Sequence, residues 1–241
     1  MKILYEDNHI IVAYKPSGVL SQEDKSHDID MLTELKKYIK VKYNKPGEVF
    51  LGLVHRLDRN TSGVMVFART SKAAQRLSDQ IQTHSGFNKK YLAVVEGKMD
   101  IGECKKLTNK LLKNESENKS YVSTSKDAKE ASLIYKVLDC KNINGLYYSL
   151  LDIELLTGRH HQIRCQLSYI KHPIAGDIKY GAKLLGGHEY NLSSYSLSFI
   201  HPTLKENMIF NYFESNLLFT KFDNTDNFLS KYKLINKEPS N

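Results

Sequence analysis

Apolar and polar positions change period several times along this chain. "KILYE" and "HIIVAYK" are short apolar runs at its start, and their length predicts two strands, closed by "KPSG" (Lys15 to Gly18), where Pro followed by Gly is turn chemistry. Residues 28–43 then bring Leu32, Leu35 and Ile39 to one side at helical spacing, with Asp28 or Asp30 available as the N-cap. "GVMVFAR" is an apolar run of strand length. "TSKAAQRLSDQIQTH" follows it with Ala73, Ala74, Leu77 and Ile81 on a helical stripe behind a Thr70 or Ser71 cap. "KKYLAVVEG", "ASLIYKVLD" and "LYYSLLDIELL" read as strands, and "GRHHQIRCQLSYI" reads as a helix with Ile163, Leu167 and Ile170 on one side. "SYSLSFI" and "NMIFNYF" make a last strand pair about the turn "HPTLKEN".

Two stretches lack such a pattern. Residues 102–129, with "KNESENKS" inside them, are mixed in charge and poor in aromatics, and a surface insertion with short hairpin strands is expected there. Residues 221–241 form a polar tail that frays or carries a marginal helix. Many strands with few helices, in no strict βαβ order, argue for an α+β fold: an extended, mostly antiparallel mixed sheet with flanking helices. No repeat or linker is visible, so one domain over residues 1–220 is expected.

Composition narrows the class. With 241 residues and 41% hydrophobic content, a folded globular protein is expected. The net charge of +8 favours an anionic partner such as nucleic acid. Cys104, Cys140 and Cys165 are isolated and odd in number, which suggests neither a disulfide framework nor a CxxC zinc site and fits a reducing compartment. Nothing approaches the ~18 consecutive apolar residues of a membrane span, and the opening breaks too early with charge for a signal peptide. A soluble, cytoplasmic protein with no membrane association is expected.

The chemistry concentrates in "HRLDRNTSG", His55 to Gly63, set between the apolar runs "FLGLV" and "VMVFA". As a turn it is well furnished: Asp58 and Asn60 suit Asx turns, and Gly63 suits a positive φ. As a site, it places an aspartate between Arg56 and Arg59, where a carboxylate is held ionised while partly desolvated, ready to act as nucleophile or base. "LLTGRHHQIRCQLSYIKHPIAGDIKYG" (155–181) gathers arginines and histidines at a helix start and ends in a Pro- and Gly-rich loop. In "NKKYLAVVEG", Tyr91 opens an apolar strand behind two lysines.

Together these segments resemble the RluA-type family of pseudouridine synthases. Its H-R-L-D-x-x-T-S-G signature is met at His55 to Gly63, and its K-x-Y-x-A-x-V-x-G strand is similar to Lys89 to Gly97. Its T-G-R-x-H-Q-I-R motif is similar to Thr157 to Arg164, and its H-P-I-x-G-D-x-x-Y-G loop to His172 to Gly181. "YEDNHIIVAYKPSGVL" and "YSLSFIHPTLKENMIF" resemble the family's opening and closing strand pairs, so the likeness runs in order from Ile3 to Tyr212.

The resemblance implies a pseudouridine synthase fold and the isomerisation of uridine to pseudouridine within ribosomal or transfer RNA. It makes Asp58 the catalytic aspartate, Tyr91 the active-site tyrosine against the target uracil, and Arg164 the arginine that pairs with the catalytic carboxylate. Arg56 would help to displace or replace the flipped base. His55, Thr61, Arg159 and Gln162, which share these motifs, are expected to help hold the substrate. Nothing is added or lost in the reaction, so no cofactor and no metal is expected. His160 and His161 lack the carboxylate and spacing of a zincin site, and "GGHEY" lacks the second histidine of HExxH. A monomer is expected.

The chain departs from the family pattern at His160, where threonine is usual, and at Cys165 and Gln166, where Val-His is common. It is also expected to start at the catalytic domain, without the separate S4 RNA-binding domain of many relatives. RNA binding would then rest on the domain's own basic surface, including Lys105, Lys106, Lys110 and Lys113. Two rivals stand beside this reading. One is an RNA-binding module without catalysis. The other is a hydrolase of a nucleoside or glycoside bond, which needs a second carboxylate such as Asp177 or Glu154; in "AGDIKYG", however, Asp177 suits a structural Asx turn.

Overall fold

A computed structural model describes residues 2–183, 190–214, 216, 218–222, 228 and 230. The expected catalytic region folds as two compact units: residues 2–87 with 195–212, and residues 88–183 and 190–194 with the described residues from 213 onward. The matched motifs divide between them.

In the first unit, β1 (Lys2–Glu6) and β2 (Ile10–Lys15) form an antiparallel hairpin, and β2 lies antiparallel on β4 (Ser62–Ala68), from Ile10 opposite Ala68 to Lys15 opposite Gly63. The two-residue β3 (Gly52–Leu53) also pairs with β4, and β10 (Leu192–Ile200), through its residues 195–200, pairs with β11 (Asn207–Asn211). All six residues of β2 are buried. That explains why its sequence runs apolar instead of alternating: both faces are covered. One face gives Ile10, Val12, Val64 and Val66 to a core shared with Ala73 and Leu77 of α2 (Ser71–Thr83) and with Phe87, Phe199 and Phe210.

Both predicted helices of this unit form, each on its polar cap. Asp30 accepts the Thr33 N–H at 2.9 Å ahead of α1 (Met31–Lys42), and Thr70 accepts the Ala73 N–H at 3.1 Å ahead of α2. The buried stripe of α1 is Met31, Leu35 and Ile39; Leu32, expected on it, is only half-buried, because i, i+4, i+8 spacing runs from Met31.

The second unit is built on an antiparallel sheet in the order β5 (Asn88–Glu96), β9 (Leu146–Leu155), β8 (Lys129–Ile143), β6 (Cys104–Asn114) and β7 (Lys119–Val122). Residues 102–129 hold more order than short hairpin strands: β6 has eleven residues and stays in register with β8 from Cys104 opposite Lys136 to Leu111 opposite Lys129. Its weak pattern has a simple cause. Within β6 only Leu111 is buried, so the ladder of backbone hydrogen bonds, not an apolar face, makes it a strand.

The third helix differs from its sequence reading. α3 is Gln162–Tyr169, shorter than "GRHHQIRCQLSYI", and six consecutive residues, Gln162 to Leu167, are buried, so burial is not confined to the side that carries Ile163 and Leu167. Gly158, Arg159 and His160 precede it in a loop, and His161 caps it in the left-handed region (φ 49°). The reading of residues 221–241 falls largely outside the described residues, as does "GGHE".

Candidate active site

The nonapeptide runs through the loop after β3 into the first two residues of β4, and is clasped by the turn that follows β2. His55 and Leu57 are buried and Arg56 is exposed, so the side chains alternate inward and outward up to the half-buried Asp58. Ser21 fixes Leu57 from both sides: its hydroxyl donates to the Leu57 carbonyl at 2.8 Å and accepts the Leu57 N–H at 3.1 Å. The Thr61 N–H donates to the Asp58 carbonyl at 3.0 Å, closing a turn over residues 58–61, and Thr61 itself is buried. Nε2 of His55 accepts the Val66 N–H at 3.1 Å, and the ring meets Phe87 edge-on at 5.4 Å. His55 therefore ties the motif back to its own strand.

Sequence reasoning missed the residue that grips this turn most firmly. Lys15 ends β2 with no exposed surface, and its ammonium donates to the carbonyls of Pro16 (3.1 Å), Val19 (2.6 Å) and Arg59 (2.8 Å). Burial pulls its pKa down to about 7, while the Asp58 carboxylate pulls it up and Arg59 pulls it down. The clasp is reinforced from both strands of the chain. The Gly18 N–H and the Ser17 hydroxyl donate to the carbonyls of Arg59 (3.0 Å) and Asn60 (2.7 Å), and Arg59 returns a bond from Nε to the Gly18 carbonyl at 3.1 Å while pairing with Asp28 at 2.7 Å. Gly18 sits at φ 85°, which lets this turn close. Only the position of Lys15, a lysine ending an all-apolar strand, could have signalled its role.

In the second unit, Tyr91 is 4% exposed on β5, opposite Ile153 of β9. Lys89 points to the same face two residues before it. Burial pulls the Lys89 amine down to about 8, and its Nζ stands 3.5 Å from where a Cβ on Gly158 would lie. Gln162, buried, organises the loop before α3: its Oε1 accepts the Thr157 hydroxyl at 2.8 Å and the Arg159 N–H at 3.0 Å, and its Nε2 donates to the Ser132 carbonyl at 3.1 Å. Arg159 has an exposed side chain whose Nε donates to the Glu130 carbonyl at 2.9 Å.

Arg164 is buried, and Asp177 holds it by a fork: Nε to Oδ2 at 2.7 Å and Nη2 to Oδ1 at 2.8 Å. Such a bidentate pair fixes the guanidinium plane as well as its place. The guanidinium also lies 4.9 Å from the ring centre of Tyr180 and 5.5 Å from that of Tyr190. The Asp177 carboxylate thus makes no capping bond of the expected Asx-turn kind to the residues that follow it, nor is it an available second carboxylate of a hydrolase; it is 2% exposed and engaged with Arg164. Its signal was the loop motif thirteen residues after the arginine, which sequence reasoning matched without assigning a partner.

The family model described as RNA pseudouridylate synthase matches residues 9–169. A ribosomal large subunit pseudouridine synthase C of Buchnera aphidicola subsp. Baizongia pistaciae is 34% identical over 217 residues, which cover 86% of this chain and 65% of that protein. The protein of that name in Escherichia coli K12 is 33% identical, covering 86% and 64%. An uncharacterised RNA pseudouridine synthase of Mycoplasma pneumoniae is 34% identical, covering 94% and 70%. The chain thus spans about two thirds of the length of these curated relatives, 65% of the first. Among solved structures, human RNA pseudouridylate synthase domain containing 4 superposes with a TM-score of 0.71 at 23% identity, covering 91% of this chain and 90% of that one. Human RNA pseudouridylate synthase domain containing 1 gives 0.68 at 22%, covering 88% and 83%. Those two likenesses show the fold.

Proposed function

Because the chain belongs to the RNA pseudouridylate synthase family, in its RluA-type branch, we propose that it isomerises uridine to pseudouridine in ribosomal or transfer RNA. The N1–C1′ bond breaks, the uracil turns, C5 bonds to C1′, and the C5 proton is replaced by one on N1. Atoms balance without an added reagent, so the reaction calls for no cofactor. The observation that supports this most is the clasped turn at residues 58–61, which presents one carboxylate, Asp58, on a backbone gripped by Lys15, Ser17 and Ser21. A reacting carboxylate needs that rigidity, since misplacement by about 1 Å costs on the order of 10²-fold in rate.

Asp58 acts on the uridine; Tyr91 offers the base a ring to lie against; Arg164 supplies the cation, its plane set by Asp177. A uridine in a stacked strand must be turned out to be reached, and exposed Arg56 suits the place the base leaves. His55, Thr61, Arg159 and Gln162 shape the loops that hold the substrate. We extend the reading to residues 1–220 as the catalytic domain, to a monomer, and to the cytoplasm as the place of action. No helix among the described residues is long and apolar enough to cross a membrane. The curated relatives named for the ribosomal large subunit favour ribosomal RNA as the substrate.

The test is direct. Purified protein, incubated with ribosomal and transfer RNA lacking modifications, should convert uridine to pseudouridine without change of mass and without release of free uracil. Released uracil would mean a hydrolase, and unmodified RNA that is nevertheless bound would mean a binding module. Two further results are expected. The logarithm of the RNA association constant should fall with the logarithm of salt with a slope of about −0.7 per phosphate neutralised on a single strand, and a flat response would remove lysines and arginines from the interface. Tyr91→Phe should keep RNA affinity, while Tyr91→Ala should lose ~1–3 kcal/mol of stacking together with turnover; normal turnover in the alanine variant would reduce Tyr91 to packing.

A further inference from the structure

Tyr180 joins three parts of the second unit. It is 5% exposed and closes the short 3-10 turn Ile178–Tyr180 that follows Asp177. Its hydroxyl accepts the Ser120 N–H of β7 at 2.8 Å and stands 3.1 Å from Nδ1 of His161, the left-handed residue that starts α3. The phenol is thus bonded to Ser120 and His161 at once. Burial first, then Arg164, His160, Lys179 and Lys113, push that imidazole down to about 2, so it is neutral. The chain of bonds therefore runs from β7 through Tyr180 to the residue that sets the direction of α3, and Arg164 is three residues further along.

The ring of Tyr180 completes the link. The Arg164 guanidinium lies 4.9 Å and the Lys119 ammonium of β7 5.1 Å from its centre. The hairpin of β6 and β7 has further ties to the same region. The Ser120 hydroxyl donates to the His160 carbonyl at 2.8 Å, and Lys179 donates to the carbonyls of Glu117 (3.1 Å) and Asn118 (3.2 Å) at the hairpin's tip. On the other side of this linkage, β6 is a strand without an acidic residue, and Lys106 and Lys110 project from one of its faces, both exposed.

We propose that Tyr180 is a positioning residue that couples the β6–β7 hairpin to Arg164, so that an RNA backbone gripping the hairpin's lysines sets the arginine for the reaction. The inference rests on the reading of Arg164 as a residue of a pseudouridine synthase. It goes beyond that reading by giving the hairpin a part in turnover and not only in affinity. Phenol and ring act as one lever, because a rigid aromatic side chain passes a shift of the β7 backbone on to the guanidinium against it. Contiguous packed and hydrogen-bonded groups of this kind carry couplings of a size that a double-mutant cycle resolves.

The experiment measures kcat and KM for pseudouridine formation in a defined RNA that the parent protein modifies. Tyr180→Phe keeps the ring over Arg164 and removes the bonds to Ser120 and His161; kcat should fall about tenfold while KM stays within about twofold. The pair Lys106→Ala with Lys110→Ala should raise KM about tenfold and lower kcat about threefold in the parent, but should leave kcat unchanged in the Tyr180→Phe background. Multiplying kcat losses would overturn the coupling, and an unaltered kcat in Tyr180→Phe would overturn the positioning role. Should Tyr180→Phe unfold, Lys119→Ala takes its place in the same cycle, since it removes a hairpin cation from the ring and leaves the phenol's bonds intact. A parent protein that binds RNA without isomerising it would overturn the functional reading itself, and this inference with it.

Discussion

Asp58→Asn should abolish pseudouridine formation, with a loss of at least about 10³-fold in kcat, while RNA affinity and thermal stability stay near those of the parent. The two side chains have nearly the same size, and the turn that carries Asp58 is held through its main-chain carbonyls: the Thr61 N–H donates to that of Asp58, and the Lys15 ammonium and the Gly18 N–H donate to that of Arg59. None of those bonds involves the Asp58 carboxylate, so the amide variant keeps them; it loses the charge, and with it the support that the charge gives the Lys15 ammonium. Quantifying pseudouridine in a defined RNA under single-turnover conditions separates the step from binding. Turnover within about tenfold of the parent would mean that "HRLDRNTSG" is a turn and nothing more, and that the chemistry lies elsewhere.

The legible parts of this molecule are those where one apolar face or one motif carries the information. β2 and β4 are buried on both faces and read as unbroken apolar runs; α1 and α2 announce themselves by Asp30 and Thr70 ahead of a stripe. α3 misled for the opposite reason. Gln162, Arg164 and Gln166 are buried polar residues, and burial of that sort is made tolerable by partners distant in sequence: Ser132 for Gln162, Asp177 for Arg164, Asn109 and Ala131 for Gln166. No periodicity encodes such partners. β6 was underestimated because a strand that pairs through its backbone and buries one side chain leaves little hydrophobic trace.

The candidate site follows the same division. Asp58, Tyr91 and Arg164 could be picked out because each sits in a compact motif. Asp177 and Tyr180 lie in a motif that reads as a loop, and their duty toward Arg164 is visible only once the chain has turned back on itself. Lys15 is the extreme case: its carbonyl partner at Arg59 is 44 residues away, and a lysine at a strand's end ordinarily leads outward to solvent.

Lys15 therefore gives the second large expected effect, and two opposing terms decide its form. Lys15→Met keeps the length of the side chain and removes the donor, which leaves the carbonyls of Pro16, Val19 and Arg59 without it, at a cost of about 1–3 kcal/mol for each that water does not reach. Against this, burial has pulled the amine to about 7, so below neutral pH the folded protein carries a desolvation cost that methionine lacks, on the order of 1.4 kcal/mol per pKa unit. The two nearly offset, and the variant's stability at pH 6 should lie within about 2 kcal/mol of the parent. Activity should not be spared, because the ammonium draws the β2 turn and the Asp58 turn together: a fall of about 10²-fold is expected from the loosened carboxylate. The pH dependence carries the sign. An unfolded lysine holds its proton up to about pH 10, whereas the folded Lys15 releases it near 7, so between those limits the unfolded state binds more protons and stability rises with pH. Subtracting the curve of Lys15→Met from that of the parent removes the other titrating groups, Lys89 among them, and the difference should climb in the parent's favour from pH 6 to 9. Over the same range the parent's activity should decline as a neutral amine, with two N–H groups for three carbonyls, lets the turn slacken. A stability difference that does not change with pH would mean that Lys15 stays charged throughout, and the decline in activity would then have to come from another group.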